Sequence, residues 1–245
     1  MHRVYISAST QYANEGVGEY GIEQDRMMEL TDRVKYWLET QKGKFVVFRN
    51  QPNWKLSQTV TDANNLAVDI FIDNHTNAGP EKETAGDGGA EGTEVFYNHN
   101  AISETNAGRR LATALYNHIA PLSPGQDRGV LADNTYNSSL YVIQNTDAPA
   151  SLVEHIFHSN YTEVADFLQY MDLYAKAEAQ AICEFFGEEW VEVSAPYFAE
   201  YDLIGYMMSY RDLMEAYAKD HPEMLEWAKW HYENYGKQEI SEGKR

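Results

Sequence analysis

Cysteine is almost missing from this chain, which has Cys183 alone among its 245 residues. A single thiol excludes an internal disulfide framework and a cysteine-based zinc knuckle. Positive charge is also scarce: 19 Lys and Arg stand against 38 Asp and Glu, a formal net charge of −19. Nucleic-acid phosphates demand a basic face, so that class of partner is ruled against, and adhesion to anionic polymers or membranes by charge alone is disfavoured. The acidic balance reads as a solvated surface. No apolar run approaches the length that spans a bilayer. The N-terminus, Met1 to Ser7, enters a strand almost at once and lacks the apolar centre of a signal peptide. The expectation is a chain made in the cytosol, for which any later action outside needs separate help.

What is present suffices for a real core. Hydrophobic residues make up 43% of the chain and aromatics 13%, enough for one good-sized domain or one domain plus an appendage. Val4 to Gln11 reads as a strand ending in a polar turn, and the loop from Tyr12 to Gly21 carries Gly16, Gly18 and Gly21. From Glu23, the apolar residues Met27, Leu30, Val34, Trp37 and Leu38 recur at helical spacing until Gly43. Phe45 to Phe48 is a short buried strand, residues 56–66 a weaker helix, and Ala67 to His75 a strand rich in β-branched residues. Strand, helix, strand, helix, strand is the order of a doubly wound, mostly parallel sheet flanked by helices.

Residues 79–93 form an acidic, glycine-rich loop for which mobility is expected, and Glu94 to Tyr97 resumes a strand. A helix follows from about Ser103 to Ile119. Arg128 to Val130 and Leu140 to Ile143 read as short strands around a turn at Asp133 and Asn134. Ala148 to Asn160 is another apolar strand ending in ionisable groups, and residues 161–186 are a covering helix. Beyond Gly187 the character changes, dividing the chain into a domain at 1–187 and a helical C-terminal extension at 188–245. The extension shows helical patterns at 196–219 and 222–235, and its role is wall binding, dimerisation or packing. Trp227, Trp230 and Tyr235 make either a carbohydrate-stacking platform or, as their spacing favours, a helix core or homodimer seam.

Three ionisable residues fall at the ends of separate elements. His75 ends a strand, where ligands of an open α/β sheet gather, and is otherwise a polar strand cap. Glu23 lies in the first turn of a helix, as a dipole partner or as a metal ligand. Glu154, between Val153 and Ile156, is a part-buried carboxyl or a member of a capping network for the next helix, for which Ser159 and Asn160 are suited. A catalytic zinc site needs about three protein ligands, an open position and a carboxylate that moves protons. Glu23 and His75 suit the ligands, and Glu154 the shuttle.

In that order and spacing the chain resembles the zinc-dependent N-acetylmuramoyl-L-alanine amidases of bacteria and their phages, over roughly residues 3–180. Glu23-Gln24-Asp25 is similar to the family's ligand glutamate, Asp69 to Ala78 to the strand with its ligand histidine, and Gly92 to Tyr97 to the strand after it. Arg128-Gly129-Val130, Tyr141-Val142-Ile143 and Pro149 to Glu154, ending Phe157 to Asn160, resemble the segment that brings in the catalytic glutamate. The resemblance implies a mixed sheet of about six strands, a Zn2+ cofactor, and cleavage of the amide between N-acetylmuramic acid and L-alanine in peptidoglycan and its muropeptides. It also implies a phage endolysin or prophage relative that acts on the wall after release.

One departure stands out. Thr10 occupies the place of the family's first histidine ligand, and a neutral hydroxyl is a poor zinc ligand. The candidates for a third ligand are His158, His155 and Gln11. Strict alternation puts residues 154, 156 and 158 on one face and so favours His158. Gln11 is placed to reach a bound water, Asp73 to steady His75, and Thr10, Asn77 and His155 to act as neighbouring or substrate-binding groups. The competing reading is a non-catalytic peptidoglycan-binding protein on the same fold, its metal lost with the histidine.

Overall fold

The computed structural model describes residues 1–79, 89–125, 128–136 and 138–192. The chain divides into two compact units, Met1–Val191 and Glu192–Arg245. The expected mobility within 80–88, the helical patterns at 196–219 and 222–235, the Trp227, Trp230 and Tyr235 cluster and the homodimer seam all lie outside the described residues.

In the first unit, strands β1 (His2–Ala8), β2 (Phe45–Phe48), β3 (Ile70–Asn77), β4 (Glu94–Tyr97), β5 (Gly129–Ala132) and β6 (Ala150–Phe157) form one sheet. Their order is β2-β1-β3-β6-β4-β5. Every pairing is parallel except β4 with β6, so the sheet is mixed, as the resemblance implies. Helices α1 (Glu23–Thr40), α2 (Leu56–Leu66), α3 (Ala107–Ile119), α4 (Tyr141–Asn145) and α5 (Tyr161–Phe186) flank it.

Side chains alternate across the sheet, and each face has its own layer. On one face Tyr5, Phe71, Phe96 and Leu152 pack with Val60 and Ala63 of α2 and Val142 and Ile143 of α4. Burying a side chain of this size contributes about 1.5–3 kcal/mol, so this cluster is a main fastening of the sheet. The alternate row, with Ile70, Ile72 and Val153, is fully buried. It faces the second layer, where Asn74 of β3 reaches Glu178 of α5.

Helix ends explain two boundaries. The Asn160 side chain accepts from the backbone N–H groups of Thr162 and Glu163, opening α5. Gly187, at φ +70°, closes it in the left-handed conformation that glycine adopts without strain. By contrast α3 begins at Ala107, later than the periodicity suggested, because Ser103 and Thr105 bond locally and Asn106 is the residue that caps Gly108 N–H.

One expected strand is a helix. Leu140 to Ile143 carries β-branched residues, yet Tyr141–Asn145 is helical. The Asp133 carboxylate accepts the N–H of Leu140 at 3.2 Å and fixes the entry, and one helical turn drops both Val142 and Ile143 into the core. Tertiary burial overrides the local preference.

Candidate active site at the carboxyl ends of the parallel strands

The strand register draws the ionisable residues into a line. His75 of β3 pairs with Glu154 of β6, and Glu154 pairs in turn with Glu94 of β4. Residues directly opposite point to the same face, so three titratable side chains share one row across three strands. Glu23 joins them from the first turn of α1. The loop after β1 delivers it: the carbonyl of Asn14 accepts the Glu23 N–H at 2.8 Å, and the Asn14 amide donates to Glu23 Oε2 at 2.6 Å.

His75 is held between two carboxylates. Its Nδ1 lies 2.9 Å from Glu23 Oε1 and its Nε2 3.1 Å from Asp73 Oδ2. Burial alone would disfavour the charged ring, but the charge and hydrogen bond of Asp73, with those of Glu23, outweigh it and push the His75 ring well above its ordinary range. Burial likewise would raise the Glu23 carboxyl. The bond and charge of His75, with hydrogen bonds from Ser9 and Asn14, instead keep it below the usual carboxylate range.

Glu154 is the contrary case. The residue is part-exposed, but its Oε2 is sealed from solvent and has no hydrogen-bond partner among the described residues. Burial pushes this carboxyl up to about 8, the charge of His75 opposes that, and the anions Glu23, Glu94 and Asp73 add to it. A carboxyl that holds its proton into the neutral range is suited to both giving and taking one.

Glu94, fully buried, was not singled out from the sequence as a site residue. Its Oε1 accepts from Asn77 at 2.6 Å, and its Oε2 from Arg128 Nε at 3.0 Å and from the Tyr136 hydroxyl at 2.8 Å. Arg128 also lies over the Phe157 ring, 4.7 Å from its centroid. Asn77, expected near the site, is thus there as a donor to Glu94. The sequence signal for Glu94 was only a charged residue opening a short apolar strand.

Strict alternation fails at the end of β6. The register passes from His75↔Glu154 to Asn77↔Phe157, two residues on β3 against three on β6. This is a β-bulge, and its extra residue reverses which face the following side chains take. His158 was expected to share a face with Glu154. The bulge carries it to the Thr76 side, where its Nδ1 lies 2.9 Å from Thr76 Oγ1 and its ring stacks on Tyr20. His155 is also on the far face, with Nε2 3.1 Å from Asn74 Oδ1 and 3.7 Å from Glu178 Oε2. Thr10 sits in the turn after β1, where its carbonyl accepts the Tyr12 N–H. Gln11 reaches the site itself, with Nε2 3.5 Å from His75 Nδ1.

Among the described residues no three His, Cys, Asp or Glu side chains form a metal-holding group. Two donors nevertheless fit one: His75 Nδ1 and Glu23 Oε1 converge at 2.9 Å. Asp73 backs the other ring nitrogen, as a carboxylate does when it orients a ligating imidazole.

Comparison with known proteins places the chain in a family. The chain is similar to the catalytic domain of CwlV, an N-acetylmuramoyl-L-alanine amidase from Bacillus (Paenibacillus) polymyxa var. colistinus, at 24% identity and TM-score 0.64, over 77% of this chain and 100% of that one. It is similar to an N-acetylmuramoyl-L-alanine amidase of Clostridium difficile 630 at 21% identity and TM-score 0.63, over 77% and 98% of the two chains. The catalytic domain of the CD27L endolysin, which targets Clostridia difficile, superposes with TM-score 0.58 at 17% identity, over 77% and 99%. No curated protein matches the chain. None of the described helices is long and apolar enough to cross a membrane. The profile of the N-acetylmuramoyl-L-alanine amidases matches residues 4–184, from the first strand to the last turns of α5, and the chain belongs to that family as a peptidoglycan amidase.

Proposed function

We propose that the enzyme cleaves the amide between the lactyl group of N-acetylmuramic acid and the L-alanine of the stem peptide, with zinc held by Glu23 and His75 and with Glu154 moving the proton. The observation that carries this reading is the row His75–Glu154 with Glu23 closing on His75 at 2.9 Å. Zinc bound there supplies Lewis acidity, which makes water acidic near neutral pH and polarises a carbonyl.

The protein supplies the rest. Asp73 takes the Nε2–H of His75 and thereby leaves Nδ1 as the coordinating atom. Glu154 accepts a proton from the attacking water and returns it to the nitrogen of the leaving alanine. Glu94, fixed by Asn77, Arg128 and Tyr136, lies opposite Glu154 and so helps it hold the proton until it passes to the leaving nitrogen. We propose further that the enzyme is a lytic protein of phage or prophage kind, acting on the wall after release, a use to which the endolysin domain above puts the same fold.

Digestion of purified peptidoglycan tests the reaction. Stem peptides with newly free N-terminal alanine should appear, and Glu154→Gln should slow their release by about 100-fold or more while retaining fold and metal. Cuts within the glycan or the peptide, or a parental rate in Glu154→Gln, would sink the assignment.

A further inference from the structure

We infer that the carboxamide oxygen of Gln11 is the third protein donor to the metal. This rests on the zinc reading above and names what stands in for the family's missing histidine.

The turn after β1 leaves Gln11 largely exposed but holds its backbone in place. Ser9 Oγ accepts the Gln11 N–H at 3.2 Å, and the Gln11 carbonyl accepts the Asn14 N–H at 3.4 Å. The Gln11 carboxamide then lies 3.5 Å from His75 Nδ1, the same nitrogen that Glu23 approaches at 2.9 Å. One side chain ties the pieces together: Asn14 Nδ2 donates to Gln11 Oε1 at 3.2 Å and to Glu23 Oε2 at 2.6 Å. Side chains from two elements (the β1–α1 turn and α1) therefore approach the same nitrogen of His75 on β3.

The alternatives point elsewhere. Thr10 offers only a neutral hydroxyl, and the bulge in β6 puts His158 on the Thr76 side of the sheet. Gln11 is longer by two atoms and has a carbonyl oxygen, a competent though weaker donor than imidazole. The carboxamide nitrogen faces His75, and rotation about the last bond, which gives up the bond from Asn14, puts the oxygen in its place. A set of one imidazole, one carboxylate and one carboxamide is harder than one with two imidazoles, so zinc is held less tightly and oxygen-preferring ions such as Mn2+ compete better.

The test uses the full chain. Zinc affinity is measured by competition with a chromogenic chelator, and Co2+ is substituted so that its visible absorption reports the donor set. Gln11→Ala should weaken zinc by at least about tenfold and alter the Co2+ spectrum. Gln11→Glu, with an oxygen at the same reach, should bind at least as tightly as the parent. Thr10→Ala and His158→Ala should match the parent. Parental affinity and spectrum in Gln11→Ala, with both lost in His75→Ala, would overturn the inference and leave the zinc site standing. So would a Gln11→Glu protein as weak as Gln11→Ala. A parent that binds no zinc would remove the inference together with the reading beneath it.

Discussion

Directly behind the site, Glu178 of α5 is fully buried with one oxygen satisfied and one not. Its Oε1 accepts from Asn74 Nδ2 at 3.1 Å, and its Oε2 has no hydrogen-bond partner among the described residues. Burial pushes this carboxyl from 4.5 up to about 8, with the Asn74 bond opposing the shift. Glu178→Gln keeps the shape and an acceptor for Asn74 but removes the titration. The sign follows from the raised value. Below pH 4.5 folded and unfolded chains both carry the proton; between 4.5 and about 8 only the unfolded chain has released it, so stability falls as pH rises. At about 1.4 kcal/mol per pH unit, the loss at pH 7 is about 3 kcal/mol. His155 works in the opposite sense. Burial, then the charge of His75, depress it from 6.5 to about 3, so it removes stability as pH falls through that interval. These two slopes nearly cancel between 4.5 and 6.5; Glu154, also raised to about 8, adds a loss with rising pH that parent and variant share, and the parent loses stability most steeply above that window. Glu178→Gln should lose stability less steeply there, melting about 10 °C higher than the parent at pH 7 and close to it near pH 4.5. Thermal and urea unfolding of both proteins from pH 4.5 to 8 is the assay. Parallel stability profiles for parent and variant would refute the reasoning, because they would show that Glu178 is ionised in the folded chain or that water reaches it.

Other perturbations address the site itself. Asp73→Asn removes the anion that orients His75, and zinc affinity should drop about 10–100-fold in chelator competition; an unchanged affinity would mean that Asp73 does not set the ring. Glu94→Gln takes away a negative charge facing Glu154, so the Glu154 carboxyl should ionise at lower pH. The acid limb of kcat/KM should then move acidward by up to about 1 pH unit, and a limb that stays put would show that the charge of Glu94 does not reach Glu154.

Much of this architecture is legible in the sequence because it is periodic. The apolar positions of α1 recur from Met27 to Leu38, and the run before His75 is too continuous and β-branched to be anything but a buried strand. The candidate site residues His75, Glu23 and Glu154 stand at or near the ends of those periodic elements, and such ends can be read. What cannot be read is set by pairing between strands. Glu94 faces Glu154 because β4 runs antiparallel to β6, and no local pattern states which strand returns beside which. Asn14, within a glycine-containing loop, joins Gln11 to Glu23 through contacts that no periodicity anticipates.

The bulge in β6 shows how much turns on one unpaired residue. With uninterrupted alternation His158 would follow Ile156 onto the Glu154 face, completing a site of two histidines and two glutamates from β3, β6 and α1. Two residues of β3 against three of β6 reverse that phase. Phe157 takes the Glu154 side instead, where Arg128 lies over its ring while holding Glu94. His158 takes the side of Thr76 and Tyr20. The same extra residue thus withdraws an imidazole from the row and places an aromatic support under the arginine that holds Glu94. On the proposed reading, a cation at His75 and Glu23 finds a third side chain in the turn after β1, where Gln11 reaches His75.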